Sequence, residues 1–398
     1  MSATHGGPAR AGTVSVGPVS FLDGVVLVDH HCHSVTTSEL DRTAFEALLT
    51  EGPGPAPGTS AFDSTLGHSV RRWCSPVLEL GPHAGPEEYI ARRRELGVDE
   101  VTRRLLTAAG AGWLFVDHGF GADDLLAPAA LGPAANARVA EVVRLESVAE
   151  TVADAGTDAA GYAEALRTAV RARVGATGPG RLRVAACKSV LAYRHGLDID
   201  PARPDDADVA RAAGPWLAER AATGAPLRDP VLLRHGVWTG IDTGLPLQLH
   251  TGFGDRDEDL HRADPALLVG LVRLVEPLGV PLMLLHCYPY HRQAAWLAQV
   301  FSCVHVDVGL AVSYVGARAR QVLAEVLELA PYAKVLYSSN AFGLAELHML
   351  GALRFRGALG ALLEDACAHD ELVPGDAARI AHMIGSDNAH RVYPVLGR

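Results

Sequence analysis

Four histidines and a lysine stand at the ends of apolar segments that lie far apart in the chain. His31 and His33 come just after "VVLVD", and in an extended chain residues two apart point to the same side. Three further apolar runs end in Lys188, His250 and His286. Neutral imidazoles are common zinc ligands. The set therefore predicts a site for one or two divalent ions, with zinc favoured and manganese, iron or nickel as alternatives.

Each of these residues also has a simpler explanation. A lone histidine at a strand end is usually a hydrogen-bonded structural residue, and a lysine there can belong to a buried ion pair. Four histidines at corresponding positions are harder to explain in this way, so we expect at least one metal within ligation distance of His31 and His33. Lys188 can ligate a cation only as a neutral amine or as a carbamate formed with carbon dioxide, and burial favours both by lowering its pKa. A substrate-binding lysine is the alternative.

Short apolar runs alternate with longer segments of helical period along the whole chain. Runs such as "WLFVD" and "PLMLLH" show no polar alternation, which is typical of strands buried on both faces. Eight such runs, with helical segments such as "AEALRTAVRARV" between them, predict an α/β fold, a (β/α)₈ TIM barrel. The predicted strands are Val25–Asp29, Ala111–Asp117, Ala140–Leu145, Leu182–Lys188, Pro246–His250, Pro281–His286, Val304–Val308 and Val335–Ser339.

The domain organisation follows from this pattern. Residues 1–22 are predicted to be a flexible tail, and residues 23–398 the barrel domain. Residues 34–110 form a helical insertion after the first strand, where an insertion lies over the active face of a barrel, so we expect a lid or cap. No GxGxxG motif follows the first strand, which counts against a dinucleotide-binding fold.

Composition restricts the possible partners. The chain has 398 residues, 48% of them apolar, and a formal net charge of −11 without a basic run, so we expect no nucleic-acid partner. It has no apolar segment of signal-peptide or membrane-spanning length. Its six cysteines form no CxxC pair. We therefore expect a reduced, cytoplasmic protein that acts on a small molecule away from membranes, with exposed helices that could mediate a homodimer.

Four motifs, in this order, resemble those of the amidohydrolase superfamily: "KSVLAYRHGLDI", "QLHTGFGD", "HCYPYHRQAAWLA" and "SSNAFGLAELHMLGA". More narrowly, they resemble the amidohydrolase-related group, which includes the domain joined to glutamine synthetase in fungal sporulation-regulator and plant nodulin-type proteins. The resemblance runs from about Val25 to "DNAHRVYPV" and is weakest in the insertion. It implies a metal-dependent hydrolase that cleaves a C–N bond in a small carboxylate-bearing substrate, such as a γ-glutamyl or amino-acid amide.

The resemblance also implies a set of roles. His31, His33 and His250 would hold a metal that activates water and polarises the scissile carbonyl. Lys188, as a carbamate, would bridge to a second ion. His286 would either complete the second site or stabilise the developing oxyanion.

Asn340 departs from the pattern of the group. Related enzymes place an aspartate here, after the eighth strand, where it ligates metal and transfers the proton of water to the leaving group. Asn340 can offer its carbonyl oxygen to a metal, but an amide cannot accept and return a proton at neutral pH. Asn340 is either an engineered replacement or a natural divergence, in which catalysis is lost or the proton role passes to His286. If Asn340 is native, a silent metal- or metabolite-binding protein is an alternative. A metal-dependent decarboxylase or other lyase is a further alternative, because decarboxylases also occur on the scaffold that the resemblance implies.

Residues near the strand ends are candidates for substrate binding. Arg194 could clamp a carboxylate through its planar guanidinium beside Tyr193, and a local ion pair is the alternative role. Asp255 could meet a substrate ammonium or orient a ligand histidine. His118 and Arg144, near the ends of the second and third strands, are expected to face the pocket.

Overall fold

One parallel sheet organises the part of the chain that the computed structural model describes, residues 21–119, 124–178 and 180–397. Its seven strands are neighbours in sequential order, so their carboxyl ends share one rim. Most of the predicted tail, residues 1–20, lies outside the described residues. The strands are β1 Leu27–Cys32, β2 Ala111–Asp117, β3 Arg138–Arg144, β4 Val184–Ser189, β5 Leu247–Thr251, β6 Leu282–His286 and β7 Val304–Val306.

Helices follow the strands, as the sequence predicts for an α/β fold. Their starts carry the expected signals: α11, for example, begins with Pro230, and the Asp229 side chain accepts a hydrogen bond from Val231 N at 2.8 Å. The helices are α1 Arg42–Ala47, α2 Thr65–Ser69, α3 Ser75–Val77, α4 Pro86–Leu96, α5 Val98–Ala109, α6 Pro128–Ala135, α7 Leu145–Asp154, α8 Tyr162–Val174, α9 Leu191–Arg194, α10 Asp206–Thr223, α11 Pro230–Ile241, α12 Val269–Val275, α13 His291–Val300, α14 Ala311–Tyr314, α15 Ala319–Leu327, α16 Ala345–Ala368, α17 Pro374–His382 and α18 Asn388–Val392.

The predicted eighth strand, Val335–Ser339, is not a strand of the sheet. Its segment nevertheless lies between β7 and β1, where Leu336 N donates to Val306 O at 3.0 Å and His30 N donates to Tyr337 O at 3.1 Å. Asn340 is the first residue after the predicted strand, and its N–H donates to His31 O at 3.0 Å. Asn340 is thereby held beside the first strand, although regular pairing is limited to an isolated bridge between Val306 and Val335.

Two layers of apolar packing hold the sheet. Inward-facing residues such as Val28, Phe115 and Met283 form one buried cluster with Tyr393 from the C-terminal segment. A larger cluster lies between the sheet and the helices that follow it.

The insertion packs in an apolar cluster that it shares with residues of β1, β2, α6 and α16. Phe45, Phe62 and Tyr89 contact one another there. Tyr89 also donates a hydrogen bond to the buried Glu346 of α16 at 2.7 Å, and Arg93 pairs with the same carboxylate. These buried contacts fix the insertion against the rim where β1 ends.

Candidate metal centre

The structure brings together the four histidines that the sequence singles out. The ring centroids of His31 and His33 are 5.3 Å apart, and those of His31 and His286 are 5.7 Å apart. His250 lies next to His286, with 4.7 Å between their ring centroids. All four are buried. Residues more than 250 positions apart in the chain thus share one small volume at the carboxyl ends of β1, β5 and β6.

Sequence reasoning missed Asp117, the last residue of β2, as part of this group. One ligand atom each from His31, His33 and Asp117 lie within 4.8 Å of one another. The Asp117 carboxylate also pairs with Arg144 at 2.7 Å and with Lys188 at 3.3 Å. The signal was present in the sequence, because the apolar run "WLFVD" ends in this acid at the same rim as the histidines.

Lys188 lies inside the histidine group. Its Nζ is 2.8 Å from His31 Nε2, and its side chain is buried. Burial lowers the pKa of Lys188 to about 8, although Asp117 opposes that shift. A fraction of Lys188 is therefore present as the neutral amine near physiological pH. Ligation and carbamate formation both require this form.

A polar network beneath the histidines orients His31. Gln248 Nε2 donates to His30 O at 2.7 Å and to the Tyr393 hydroxyl at 3.1 Å, which fixes the direction of the amide. Gln248 Oε1 lies 2.9 Å from His31 Nδ1 and can only accept a proton from it. His31 therefore carries its proton on Nδ1 and presents the lone pair of Nε2 to the site. This is a common arrangement behind a metal-bound histidine.

Replacing Gln248 should weaken metal binding. In Gln248→Met the shape is nearly kept but the acceptor is lost, so His31 is free to change tautomer, and we expect a loss of about 10–100-fold in metal affinity. Competition with a chromophoric chelator measures this. Gln321→Met, on the exposed face of α15, is the matched control and should leave the affinity unchanged. Equal affinity in both variants would contradict the orienting role.

His286 and Asn340 supply unpaired polar atoms. Neither ring nitrogen of His286 has a hydrogen-bond partner among the described residues, and the same holds for Asn340 Oδ1. Both residues have left-handed backbone conformations, with φ of +69° and +49°. Such conformations are uncommon outside glycine and are enriched at functional sites. Unpaired buried nitrogen and oxygen donors beside His31, His33 and Asp117 are the donor types that a divalent cation takes, so these residues fit a metal ion.

The electrostatics of the site keep the imidazoles of His31, His33 and His286 neutral. Burial, followed by Lys188, holds the pKa of His31 well below its ordinary value, and burial lowers that of His33 to about 3. Burial and then His250 do the same for the pKa of His286. Burial alone would raise the pKa of Asp117, but Arg144 and then Lys188 hold it well below the usual range. The result is the buried carboxylate of Asp117 beside three neutral imidazoles, those of His31, His33 and His286, which need not lose protons before a cation binds.

The group opens into a cavity of about 370 Å³. Its wall includes Ala47, Leu48 and Glu51 of the insertion, so the insertion contributes to the site; that it acts as a lid stays a prediction. The charged residues of the wall are of both signs: Glu51, Arg144, Lys188, Arg194, Arg228, Asp255 and Asp257.

Four of the five residues predicted as candidates for substrate binding line this cavity: Arg144, Tyr193, Arg194 and Asp255. Arg194 does so while it contacts Glu150 at 3.5 Å, so its predicted alternative role in an ion pair is also present. Tyr193 packs against His250 with the rings tilted by 39° and 4.2 Å between their centroids, and Asp255 lies at the same wall. The prediction for His118 needs correction, because it is not part of the cavity wall. His118 is the first residue after β2 ends at Asp117, and its Nε2 lies 3.2 Å from the Arg173 guanidinium instead.

Glu258 is a second residue that the sequence did not reveal. It is buried, and its Oε2 lies 2.7 Å from His250 Nε2. It follows the motif "HTGFGD" by three residues in a loop, where neither periodicity nor an apolar run indicates the direction of a side chain. Glu258 therefore takes the orienting role toward a ligand histidine that the sequence analysis considered for Asp255.

Residues 28–395 match the model of a protein family described as Amidohydrolase. The chain belongs to the amidohydrolase family. The match spans all eighteen α-helices and, apart from Leu27, all seven strands, and the resemblance inferred from the four motifs is confirmed. None of this amidohydrolase's described helices combines the length and the apolar character needed to cross a membrane.

Among curated proteins, this amidohydrolase is similar to Protein fluG of Emericella nidulans. The two are 32% identical over 222 residues, which are 53% of this chain and 25% of that protein. The match thus spans about a quarter of the relative's length.

Solved structures share the fold. A protein from Lactobacillus casei ATCC 334, described as a metal-dependent hydrolase, has a TM-score of 0.80 with 24% identity, over 94% of this chain and 96% of that one. A uronate isomerase from Bacillus halodurans C-125 has a TM-score of 0.61 with 12% identity, over 95% of this chain and 94% of that one. At these identities the likeness concerns the fold, and the chemistry has to come from the site.

Proposed function

We propose that this amidohydrolase is the scaffold of a metal-dependent hydrolase that cleaves the C–N bond of a small amide. The observation that carries the proposal is the buried group of His31, His33, His250, His286 and Asp117 at the rim of the sheet, opening into a charged cavity. We also propose that the sheet works as an eight-stranded barrel, with the segment after β7 in the eighth place.

A divalent cation, which we propose to be zinc, would supply a Lewis acid for the amide carbonyl and for water. The protein's own contribution is positioning. Gln248 fixes the tautomer of His31, and Glu258 holds His250. His286 is neutral and without a hydrogen-bond partner among the described residues, so it can ligate, or donate one hydrogen bond to an oxyanion that develops on the substrate. Asn340 can donate or accept a hydrogen bond but cannot carry the proton to the leaving group.

The charges of the cavity support an amino-acid amide as substrate. Arg194 and Arg228 line the cavity and can pair with a substrate carboxylate. Glu51 and Asp255 line it as well, and burial followed by Asp255 raises the pKa of Glu51. A substrate ammonium beside these two acids would relieve their repulsion. A γ-glutamyl amide carries both charged groups, a simple amino-acid amide carries only the ammonium, and a neutral amide carries neither.

Removing the Arg194 guanidinium should weaken binding of such a substrate. For Arg194→Met we expect an affinity lower by about 10–100-fold, because a hydrogen bond to a charged group is worth about 1.5–3 kcal/mol. Calorimetry with a γ-glutamyl amide measures this without turnover. Arg320→Met, at an exposed ion pair with Asp365, is the matched control. An equal loss for an amide that lacks the carboxylate would contradict the assigned contact.

The function itself is tested by metal content and amide cleavage together. We expect the purified chain to hold at least one divalent ion per molecule and to lose it in His33→Ala, while His83→Ala, at an exposed position of the insertion, keeps it. Amine release from a panel of γ-glutamyl and amino-acid amides then measures hydrolysis. A chain that holds metal but cleaves no amide, with either asparagine or aspartate at position 340, would overturn the proposal.

Asn340 is the specific observation that favours a second candidate, a silent binding protein. Its buried Oδ1 can still contact a ligand or a cation, so binding does not need an aspartate here. In this case metal and amino-acid amides bind but are not cleaved. The amide panel separates the two candidates, because affinity without turnover in both the asparagine and aspartate forms is the result that a binding protein gives.

A further inference from the structure

A second group of potential metal ligands lies outside the cavity. It consists of Asp29 and Cys32 of β1 and His348 of α16. One ligand atom from each lies within 4.8 Å of the others, and all three residues are buried. None of them lines the cavity described above. The register shift of β1 between Asp29 and Cys32 allows both side chains to reach the same group, which a regular strand would not do.

His348 is the residue that calls for a ligand. It is 1% exposed, and neither of its ring nitrogens makes a well-formed hydrogen bond among the described residues, although the His33 backbone lies close enough to oppose the lowering of the His348 pKa by burial. A buried imidazole usually places at least one nitrogen in a hydrogen bond. The two other residues keep capacity to bind: the Asp29 oxygens accept from Ser339 N at 2.9 Å and from Ser339 Oγ at 2.5 Å, and the Cys32 thiol has only a long contact of 3.5 Å to Phe115 O. A carboxylate oxygen can accept more than one bond.

We propose that Asp29, Cys32 and His348 hold a divalent cation, separate from the ion of the cavity. A thiolate, an imidazole and a carboxylate are the mixed donor set that suits zinc, and hard cations such as magnesium would not favour the thiolate. Binding releases the thiol proton of Cys32 to solvent. Three protein ligands leave one tetrahedral position for a further donor.

The ion would tie together the elements that position the cavity residues. Asp29 and Cys32 flank His31 in β1, and Asp29 also holds Ser339, the neighbour of Asn340. His348 belongs to the helix that follows Asn340 and anchors the insertion through Glu346. A cation between β1 and α16 therefore fixes the two segments that carry His31, His33 and Asn340. This positioning role does not depend on which reaction the cavity performs.

Cobalt reports on the proposed site without interference from the cavity group. Among the described residues, no other cysteine belongs to a group of three potential ligands, and the cavity group contains no sulfur. The chain, stripped of metal and loaded with Co²⁺, should show thiolate-to-cobalt charge-transfer absorption. Cys32→Ser should lose that band and bind one equivalent less. Cys74→Ser, a fully buried cysteine of the same apolar cluster, should keep both.

Wild-type protein alone can overturn the proposal if the Cys32 variant does not fold. X-ray absorption on the zinc-loaded chain should show a sulfur neighbour at about 2.3 Å. That signal should survive in His33→Ala, which removes a ligand from the cavity group only. Absence of the sulfur neighbour and of the charge-transfer band would refute the site. The cobalt bound by the cavity histidines would still be seen in its visible absorption, so the result would leave the proposed function standing.

Discussion

Replacing Asn340 by aspartate is expected to raise the rate of amide hydrolysis by about 10²–10⁴-fold, which is the usual contribution of general acid–base catalysis. The amide of Asn340 lies at the cavity wall among the histidines with its Oδ1 unpaired, but it cannot take up a proton. A carboxylate of the same shape can. The backbone there, at φ +49°, is a conformation that aspartate tolerates about as well as asparagine, so little strain accompanies the change. Amine release under saturating metal measures the gain.

Two variants control for other causes of the gain. Asn136→Asp makes the same change at an exposed asparagine with φ +51°, outside the cavity, and should leave the rate unchanged. Asn340→Ala removes the amide without adding a carboxylate and should also show no gain. If the Asn340→Asp protein holds its metal but cleaves no faster than the parent chain, the proton is not carried from this position.

Strand positions could be predicted because burial on both faces leaves a plain signal in the sequence. Ala111–Asp117 was predicted residue for residue, and the predicted β6 differs from the observed strand by one residue. The last predicted strand fails as regular structure. Its polar residue Ser339 bonds to a neighbouring segment instead of a ladder, as the contact of Ser339 N with the Asp29 carboxylate shows. Pairing of that kind depends on partners far away in the chain, which local pattern cannot reveal.

The candidate site shows the same division. His31, His33, His250 and His286 were found because each is an unusual residue at the end of an apolar run. The residues that support these histidines were not found, because their roles depend on where their side chains point and not on residue type. Gln248 lies within β5 and Glu258 in a loop. The sequence also implies regular alternation in β1, which the register shift between Asp29 and Cys32 breaks. Sequence therefore predicts the ligands better than what orients them.

Asp117→Asn should cost about 3–5 kcal/mol of the free energy of unfolding, because it removes the carboxylate that pairs with two buried cations. The Asp117 carboxylate pairs with Arg144 and Lys188, and all three side chains are nearly inaccessible to water. Without it, two buried cations stand side by side. Lys188 can lose its proton and so limit the cost, whereas the Arg144 guanidinium keeps its charge.

The loss in the free energy of unfolding caused by Asp117→Asn is expected to become smaller as the pH rises. In the parent chain burial places the pKa of Lys188 at about 8, below its ordinary value, and Asp117 keeps it from falling further. In the Asp117→Asn variant the pKa of Lys188 in the folded state falls below 8. Between this lowered pKa and about pH 8, Lys188 therefore carries a proton in the unfolded variant but not in the folded one. The variant's free energy of unfolding then rises with pH while that of the parent does not. Urea unfolding of chelator-treated protein at about pH 6 and about pH 8 should show the difference between the two chains narrowing at the higher pH.

A surface pair provides the comparison. Asp365 and Arg320 are about half exposed, at 56% and 45%, so Asp365→Asn should cost no more than about 1 kcal/mol, with no narrowing between the two pH values. The contrast tests the burial of the Asp117 group and not merely the presence of an ion pair. If the two variants lose the same small amount, Arg144 and Lys188 are solvated or paired elsewhere when the cavity is free of metal. The rim of β2 would then have no fixed negative charge to offer a cation beside His31 and His33.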